Sequence, residues 1–409
     1  MKSFDDKSPL VSEVAIVVLF IMLLLAPILD NLFGGLFSYV DEIACVFLIV
    51  WMLLMRDSKH GTEINEDNKY DRRIVACLIL ICAFGFVGNL IFNYQANVLA
   101  IIVDFFTCVK FFLSYLAAKE ILKKNPACLK TFQYIGIVFV LSASLGLILH
   151  ISGVAPMGSG RVMFGIPCYQ FLFSHPTNLA AYCVGFAAIM FAGKKPRNVW
   201  ILLICILLLA TQRAKAIAMA FVIMVLLLYG LVKQDDQRPP KFLFIFLIAG
   251  SAILAMDQIQ EYFFTSTSAR SLLMQDGVDI AIRSFPFGSG FATFATYMSG
   301  VFYSPLYYEY GLNSVWGLWP SNPSFVSDSF WPAVLAQFGA FGLIAMVALL
   351  ITTFQSICCN AKKSAIRFAA YGIIPIYLII LSTADASFFN FYGPFYALTI
   401  SAIMNSSSY

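Results

Sequence analysis

The sequence predicts an all-α protein that crosses a membrane many times. Three observations carry that expectation. Of 409 residues, 60% are hydrophobic and only 12% charged, with a mean hydropathy of +0.84. A soluble domain carries roughly 25% charged residues, so a chain with about half that load is excluded from the soluble globular class. The apolar residues also gather in runs of about 20, the length at which a helix spans a bilayer with its backbone groups satisfied internally. Finally, the basic residues fall mostly in alternate gaps between these runs, as they do when short cytoplasmic loops collect Lys and Arg.

The runs follow in order. The first, 12–29, lacks a small-residue cleavage pattern and is followed by Asp30, so it reads as a retained helix and not a removed leader. The second, 36–55, has Asp41 and Glu42 near its start, where acids suit a helix N-terminus. Runs 74–92, 98–118 and 131–151 come next. Asp104 and Lys110 share the fourth run, roughly 240° apart around a helix. Each is therefore expected to meet a partner on another helix. Run 176–192 opens after His175. Runs 198–212 and 214–232 form either a hairpin turned at 211–215 or one long helix. Runs 242–257, 329–351, 367–384 and 387–405 bring the expected count to about twelve. No internal repeat or low-complexity segment is present, and KQDDQRPPK at 233–241 is a turn with proline punctuation.

With the N-terminus inside, 20 of the 26 basic residues fall in inner gaps. The chain then reads as one integral membrane domain, 1–409, with a large outward loop at 257–328 and a second at 152–175. The large loop is expected to act as a lid and to supply half of a site. Of the ten cysteines only Cys168 lies in an outward loop, so no disulfide framework is implied, and none has the paired spacing of a metal site. No phosphate-binding glycine loop, dinucleotide fingerprint, HExxH or nucleophile elbow occurs. No metal, no other cofactor and no nucleic acid is expected as a ligand.

The six basic residues that break the pattern are Lys110, Arg161, Arg213, Lys215, Arg270 and Arg283. A cation within a span costs about 2.5–3.5 kcal/mol at mid-depth unless something compensates. Arg161 lies in the second outward loop, Arg213 and Lys215 at a hairpin mouth, and Arg270 and Arg283 in the large loop. Guanidinium groups grip phosphate bidentately and keep their charge, so the set suits a lipid-linked diphosphate. Each residue also has a plainer reading, as a loop anchor or as the partner of Asp276, Asp279 or Glu261.

Asp328 stands immediately before a span. It is a candidate proton acceptor and equally a candidate helix cap. His175 is a candidate base or phosphate contact, and a candidate cap. Between 300 and 332 the loop is dense in aromatic rings, among them Tyr308, Trp316 and Trp319, with the isolated acid Glu309. Such rings stack on sugars and also favour membrane interfaces. These four are expected sugar contacts.

Four stretches resemble the O-antigen polymerase and O-antigen ligase superfamily of bacterial envelope enzymes. They are GRVMFGIP with SHPTNLAAY, LLLATQRAKAIAMAF, SARSLLMQDGVDIAIRSFPFGSGF, and SDSFWPAVLAQFGAFGLIAM, in that order over residues 155–350. The resemblance implies a GT-C-like fold with a large outer loop over a cavity open to the membrane. It implies metal-independent transfer of a glycan from undecaprenyl diphosphate to an acceptor sugar. Arg161, Arg213 and Arg270 would hold the diphosphate, with Arg283 and Lys215 beside them. Undecaprenyl-diphosphate-linked glycans, membrane lipids and a chain-length regulator protein are the partners that follow. The bacterial cytoplasmic membrane, with the site facing outward, is the implied location. Where ligases of the family place a histidine, this chain has Asp328, which favours a Wzy-type polymerase over a ligase. The base is left between Asp328 and His175. A lipid-linked oligosaccharide flippase or other transporter is the alternative from another class.

Overall fold

Helices occupy the apolar runs. The computed structural model describes residues 8–55, 66–163, 165–193, 196–232, 250, 268–359, 365–383 and 385–406. The first five helices are α1 (Ser8–Phe33), α2 (Val40–Leu54), α3 (Glu66–Phe92), α4 (Val98–Lys123) and α5 (Cys128–Ile151). A hairpin follows, with β1 (Gly158–Met163) antiparallel to β2 (Ile166–Tyr169) and Val162 opposite Pro167. Next come α6 (Pro176–Phe191), α7 (Asn198–Ala210), α8 (Ala214–Val232) and α9 (Ala269–Arg283). Two short helices, α10 (Tyr297–Val301) and α11 (Pro305–Glu309), precede α12 (Phe330–Cys358), α13 (Ala365–Ser382) and α14 (Gly393–Asn405).

Six of the described helices, α1, α3, α4, α5, α8 and α12, are long and apolar enough to cross a membrane, and α6, α7 and α13 are shorter apolar helices. The chain is therefore a membrane-embedded, multi-pass, largely helical protein. Apart from residue 250, the run expected at 242–257 lies outside the described residues, as does the start of the large loop with Glu261. The 198–232 region is a hairpin: α7 stops at Ala210, and Gln212 in the turn takes φ 52°. The last expected run is shorter at its start. A one-turn helix at Ser387–Phe389 comes first, and α14 begins only at Gly393.

The large loop does more than cover the helices. Residues 288–296 are buried among them. Irregular backbone at such a position requires a partner for every polar group, and polar side chains on the helices supply them. Asn89 of α3 accepts from Phe291 N at 2.8 Å and donates to its carbonyl at 2.9 Å. Asp104 of α4 accepts from Ala292 N at 2.7 Å. Gln337 of α12 donates to the Phe294 carbonyl at 3.0 Å. Backbone of α12 completes the set, with Ser289 N and Gly290 N donating to the carbonyls of Ala336 and Gln337 at 2.8 and 3.0 Å.

Two glycines make this close approach possible. Gly288 and Gly290 have φ of 81° and 98°, and a Cβ on either would strike backbone of α12 or α3. In answer α12 kinks at Gly339, whose φ is 66°. The glycine turn thus pins α9 and the loop onto α3, α4 and α12. The helix α9 lies against α12, with Gly277 close to Pro332.

Candidate active site

At one end of the bundle these elements enclose a cavity of about 1380 Å³. Small-molecule pockets hold roughly 300–1,000 Å³, so there is room for more than a single small metabolite.

Besides Lys110, four cations from three stretches of the chain line this cavity. Arg161 comes from β1, Arg213 from the α7–α8 turn, Lys215 from the first turn of α8, and Arg270 from the first turn of α9. His175 and Asp328 line it too. All six belong to the set singled out in the sequence, and the fold brings them to one cavity.

Their contacts separate the plain readings from the chemical ones. Asp328 is not a cap. The N-cap of α12 is Ser329, which makes no side-chain cap bond. The Asp328 carboxylate instead accepts from Arg270 Nη2 at 2.6 Å, and the two side chains are 32% and 25% exposed. Burial pushes the Asp328 carboxyl above the ordinary carboxylate value, Arg270 and Lys215 pull it back, and Asp385 adds to the rise. Its proton affinity thus depends on the state of Arg270.

His175 does act as a cap: its Nδ1 accepts from Thr177 N at 3.2 Å, and Pro176 follows at the first helical position. Its Nε2 meets Arg213 Nη2 at 3.0 Å. A neutral imidazole accepts at one nitrogen only, so the cap and the guanidinium compete for it. Burial first, then the Arg213 charge, lower its pKa to about 4. That makes His175 a weak base and a positioning group for Arg213. Among the described residues Arg161 has no ion-pair partner.

The remaining candidates lie off the cavity wall. Arg283 sits at the far end of α9, fourteen-odd residues' worth of helix from the start that carries Arg270. It pairs with Asp279 at 2.7 Å and Glu309 at 3.1 Å, and lies 5.2 Å over the Tyr310 ring. Glu309 is consumed in that exposed ion pair. Tyr308 and Trp316 are exposed, and Trp316 leans on Phe325 at 4.9 Å between ring centroids. Trp319 bridges to Asn322. Sequence density of aromatic residues marks this loop, but their side chains fold onto it or onto its surface.

The cavity also holds residues that sequence reading passed over. Asp385, in the α13–α14 turn, lines it and accepts from Ser387 N at 3.4 Å. Its Oδ1 accepts from Asn390 Nδ2 at 2.9 Å. An acid between two apolar runs at an outer end was the available signal. Asp41, Glu42 and Lys110 line the cavity as well. Lys110 does find its partners on another helix, Asp41 and Glu42 of α2. Asp104 finds a backbone amide in place of an ion.

Among the described residues no group of His, Cys, Asp and Glu is arranged to hold a metal. Chemically, the cavity offers cations for an anionic group and two carboxylates, Asp328 and Asp385, for a proton. Searches against protein-family models and curated proteins return no match to this chain.

Proposed function

We propose that the chain is a bacterial polysaccharide polymerase that transfers a glycan from undecaprenyl diphosphate to a lipid-linked repeat unit. On this reading it spans the cytoplasmic membrane about twelve times and works at the outer face. The observation that carries the reading is the convergence of Arg161, Arg213, Lys215 and Arg270, from three separate stretches, on the cavity that Asp328 also lines. Gathering like charges there is unfavourable, and Asp328 and Asp385 offset only part of the four positive charges. A diphosphate at the membrane surface offsets the rest.

The acceptor hydroxyl oxygen attacks the anomeric carbon of the donor glycan. The bond from that carbon to the diphosphate oxygen breaks, and undecaprenyl diphosphate leaves with the electron pair. Arginine side chains stabilise the charge that develops on the leaving oxygen. Asp328 takes the hydroxyl proton. Protonation ends its ion pair with Arg270, which frees that guanidinium for the departing diphosphate. Proton uptake and leaving-group stabilisation are thereby coupled through one contact.

The test is conversion of purified lipid-linked repeat units into longer chains by the purified protein. Chain growth supports the reading, and its absence with intact, folded protein removes it. The buried Lys110–Asp41–Glu42 cluster is the feature that favours a transporter. Movement of lipid-linked repeats across a vesicle membrane without extension would support that second reading.

A further inference from the structure

The large loop reaches deeper than its buried glycine turn. The helix α9 runs beside α12 in the same direction. Gly277 lies against Pro332 near the start of α12, and farther along the Phe285 ring lies 5.8 Å from that of Phe341. Phe341 stands about 16 Å along α12 from its first residue. On the neighbouring helix the Phe287 ring lies 5.9 Å from that of Phe84, about 12 Å along α3 from its last residue, Phe92. The two depths agree because α3 and α12 are side by side there, with Phe84 and Phe341 6.5 Å apart. Both helices are long and apolar enough to cross a membrane. At 29 residues α12 is about 43 Å long, against a hydrocarbon core of about 30 Å, so with the excess shared equally Phe341 lies about 10 Å inside the hydrocarbon.

At this depth the loop turns apolar side chains away from the bundle. Ile282 and Phe285 are 68% and 62% exposed, and Phe285 adjoins a strip begun by Phe341 and Ile344 of α12, which are 48% and 64% exposed. Ser284 N and Phe285 N donate to the carbonyls of Ile280 and Ile282 at 2.8 and 3.3 Å, Gly288 N donates to that of Ser284 at 3.0 Å, and Pro286 has no amide hydrogen. Backbone placed in hydrocarbon requires such internal pairing. One turn back along α9, Arg283 reaches Asp279 at 2.7 Å, and Tyr310 Oη donates to the same carboxylate at 2.6 Å. An arginine turned back toward the start of its helix, beside a tyrosine, suits a membrane–water boundary.

We propose that the end of α9 and the turn after it form a re-entrant segment, with Ile282 and Phe285 standing among the acyl chains of the leaflet on the cavity side. Lipid hydrocarbon is the partner of this face. A soluble partner cannot reach a surface at this depth, and the strip continues along α12 over surface that a spanning helix gives to lipid. Depth and exposure carry this, whatever the chemistry of the cavity. A helix with its foot in lipid and its flank on α12 holds Arg270, at its other end, at a fixed height above the hydrocarbon.

The experiment uses the full-length protein in nanodiscs of phosphatidylethanolamine and phosphatidylglycerol. The photoreactive residue p-benzoylphenylalanine replaces Phe285 or Ile282, one at a time. Phe341 serves as the reference within the span, and Ser321, exposed in a polar turn of the same loop, as the reference away from it. After irradiation, mass spectrometry measures lipid adducts and places the new bond on acyl chain or headgroup. Acyl-chain adducts at 282 and 285 are expected at about half the yield at 341 or more, and at least about tenfold above the yield at 321. Yields no higher than at 321, or bonds to headgroups alone, overturn the proposal. So does a crosslink to a second copy of the chain in place of lipid, which makes the strip an interface between protomers. Both replaced side chains are exposed, so either position serves if the other variant does not fold.

Discussion

Replacing Asp328 with Asn should tighten the grip on undecaprenyl diphosphate while it stops chain growth. Arg270 Nη2 is bound to Asp328 at 2.6 Å, so a diphosphate must compete with that carboxylate for the guanidinium. Unit charges about 4 Å apart interact by roughly 4 kcal/mol at an effective dielectric of about 20. Water reaches a quarter to a third of the two side chains, and screening reduces the competition to about 1–2 kcal/mol. Asparagine keeps the shape and one acceptor oxygen but gives up the charge. The dissociation constant for undecaprenyl diphosphate should therefore fall roughly 5- to 30-fold. Arg270→Gln should move it the other way, by roughly 10- to 150-fold, from loss of a charge-assisted bond of about 1.5–3 kcal/mol. The assay is binding to nanodisc-embedded protein near pH 7, followed by extension of lipid-linked repeats. Unchanged or weaker diphosphate binding by Asp328→Asn, or polymer of normal length from it, refutes the coupling of Asp328 to Arg270.

Three further outcomes follow from the same contacts. Arg283→Ala should leave undecaprenyl diphosphate affinity within about twofold and stability within about 1 kcal/mol, since its pairs with Asp279 and Glu309 are exposed; a loss comparable to that of Arg270→Gln would return Arg283 to the site. Asp104→Ala should lower stability by about 1–3 kcal/mol by stranding the buried Ala292 amide, and Asp104→Asn should recover most of it; thermal melting in detergent compares the two. The pH dependence has a definite sign for His175. Its folded pKa of about 4 lies below the ordinary histidine value of 6.5, so the unfolded chain binds the extra proton between them. Stability from this group is complete above about pH 6.5 and is lost as pH falls toward 4. His175→Asn, which can still cap α6, should flatten that slope in melts taken at pH 4.5 and 7.

The sequence by itself determined that this protein is helical and embedded in a membrane, because hydrocarbon leaves a spanning backbone few choices and the runs record that directly. It also marked Arg161, Arg213, Lys215, Arg270, His175 and Asp328, because cations at outer helix ends stand out against the bias of the rest. Tertiary structure alone decided which of the marked residues share a wall. Arg270 and Arg283 lie on one helix, yet opposite ends of it meet different neighbours: Asp328 in the cavity, and Asp279 with Glu309 outside it. Nor could composition place 288–296 inside the bundle. That segment is buried because Asn89, Asp104 and Gln337, distant in sequence, meet its backbone groups. The Lys110 cluster was hidden for the same reason. Asp41, Glu42 and Lys110 read separately as a helix start and a stray charge, and only the packing of α2 on α4 joins them. Helix formation is a local response to solvent, whereas a site depends on which distant side chains the packing sets face to face.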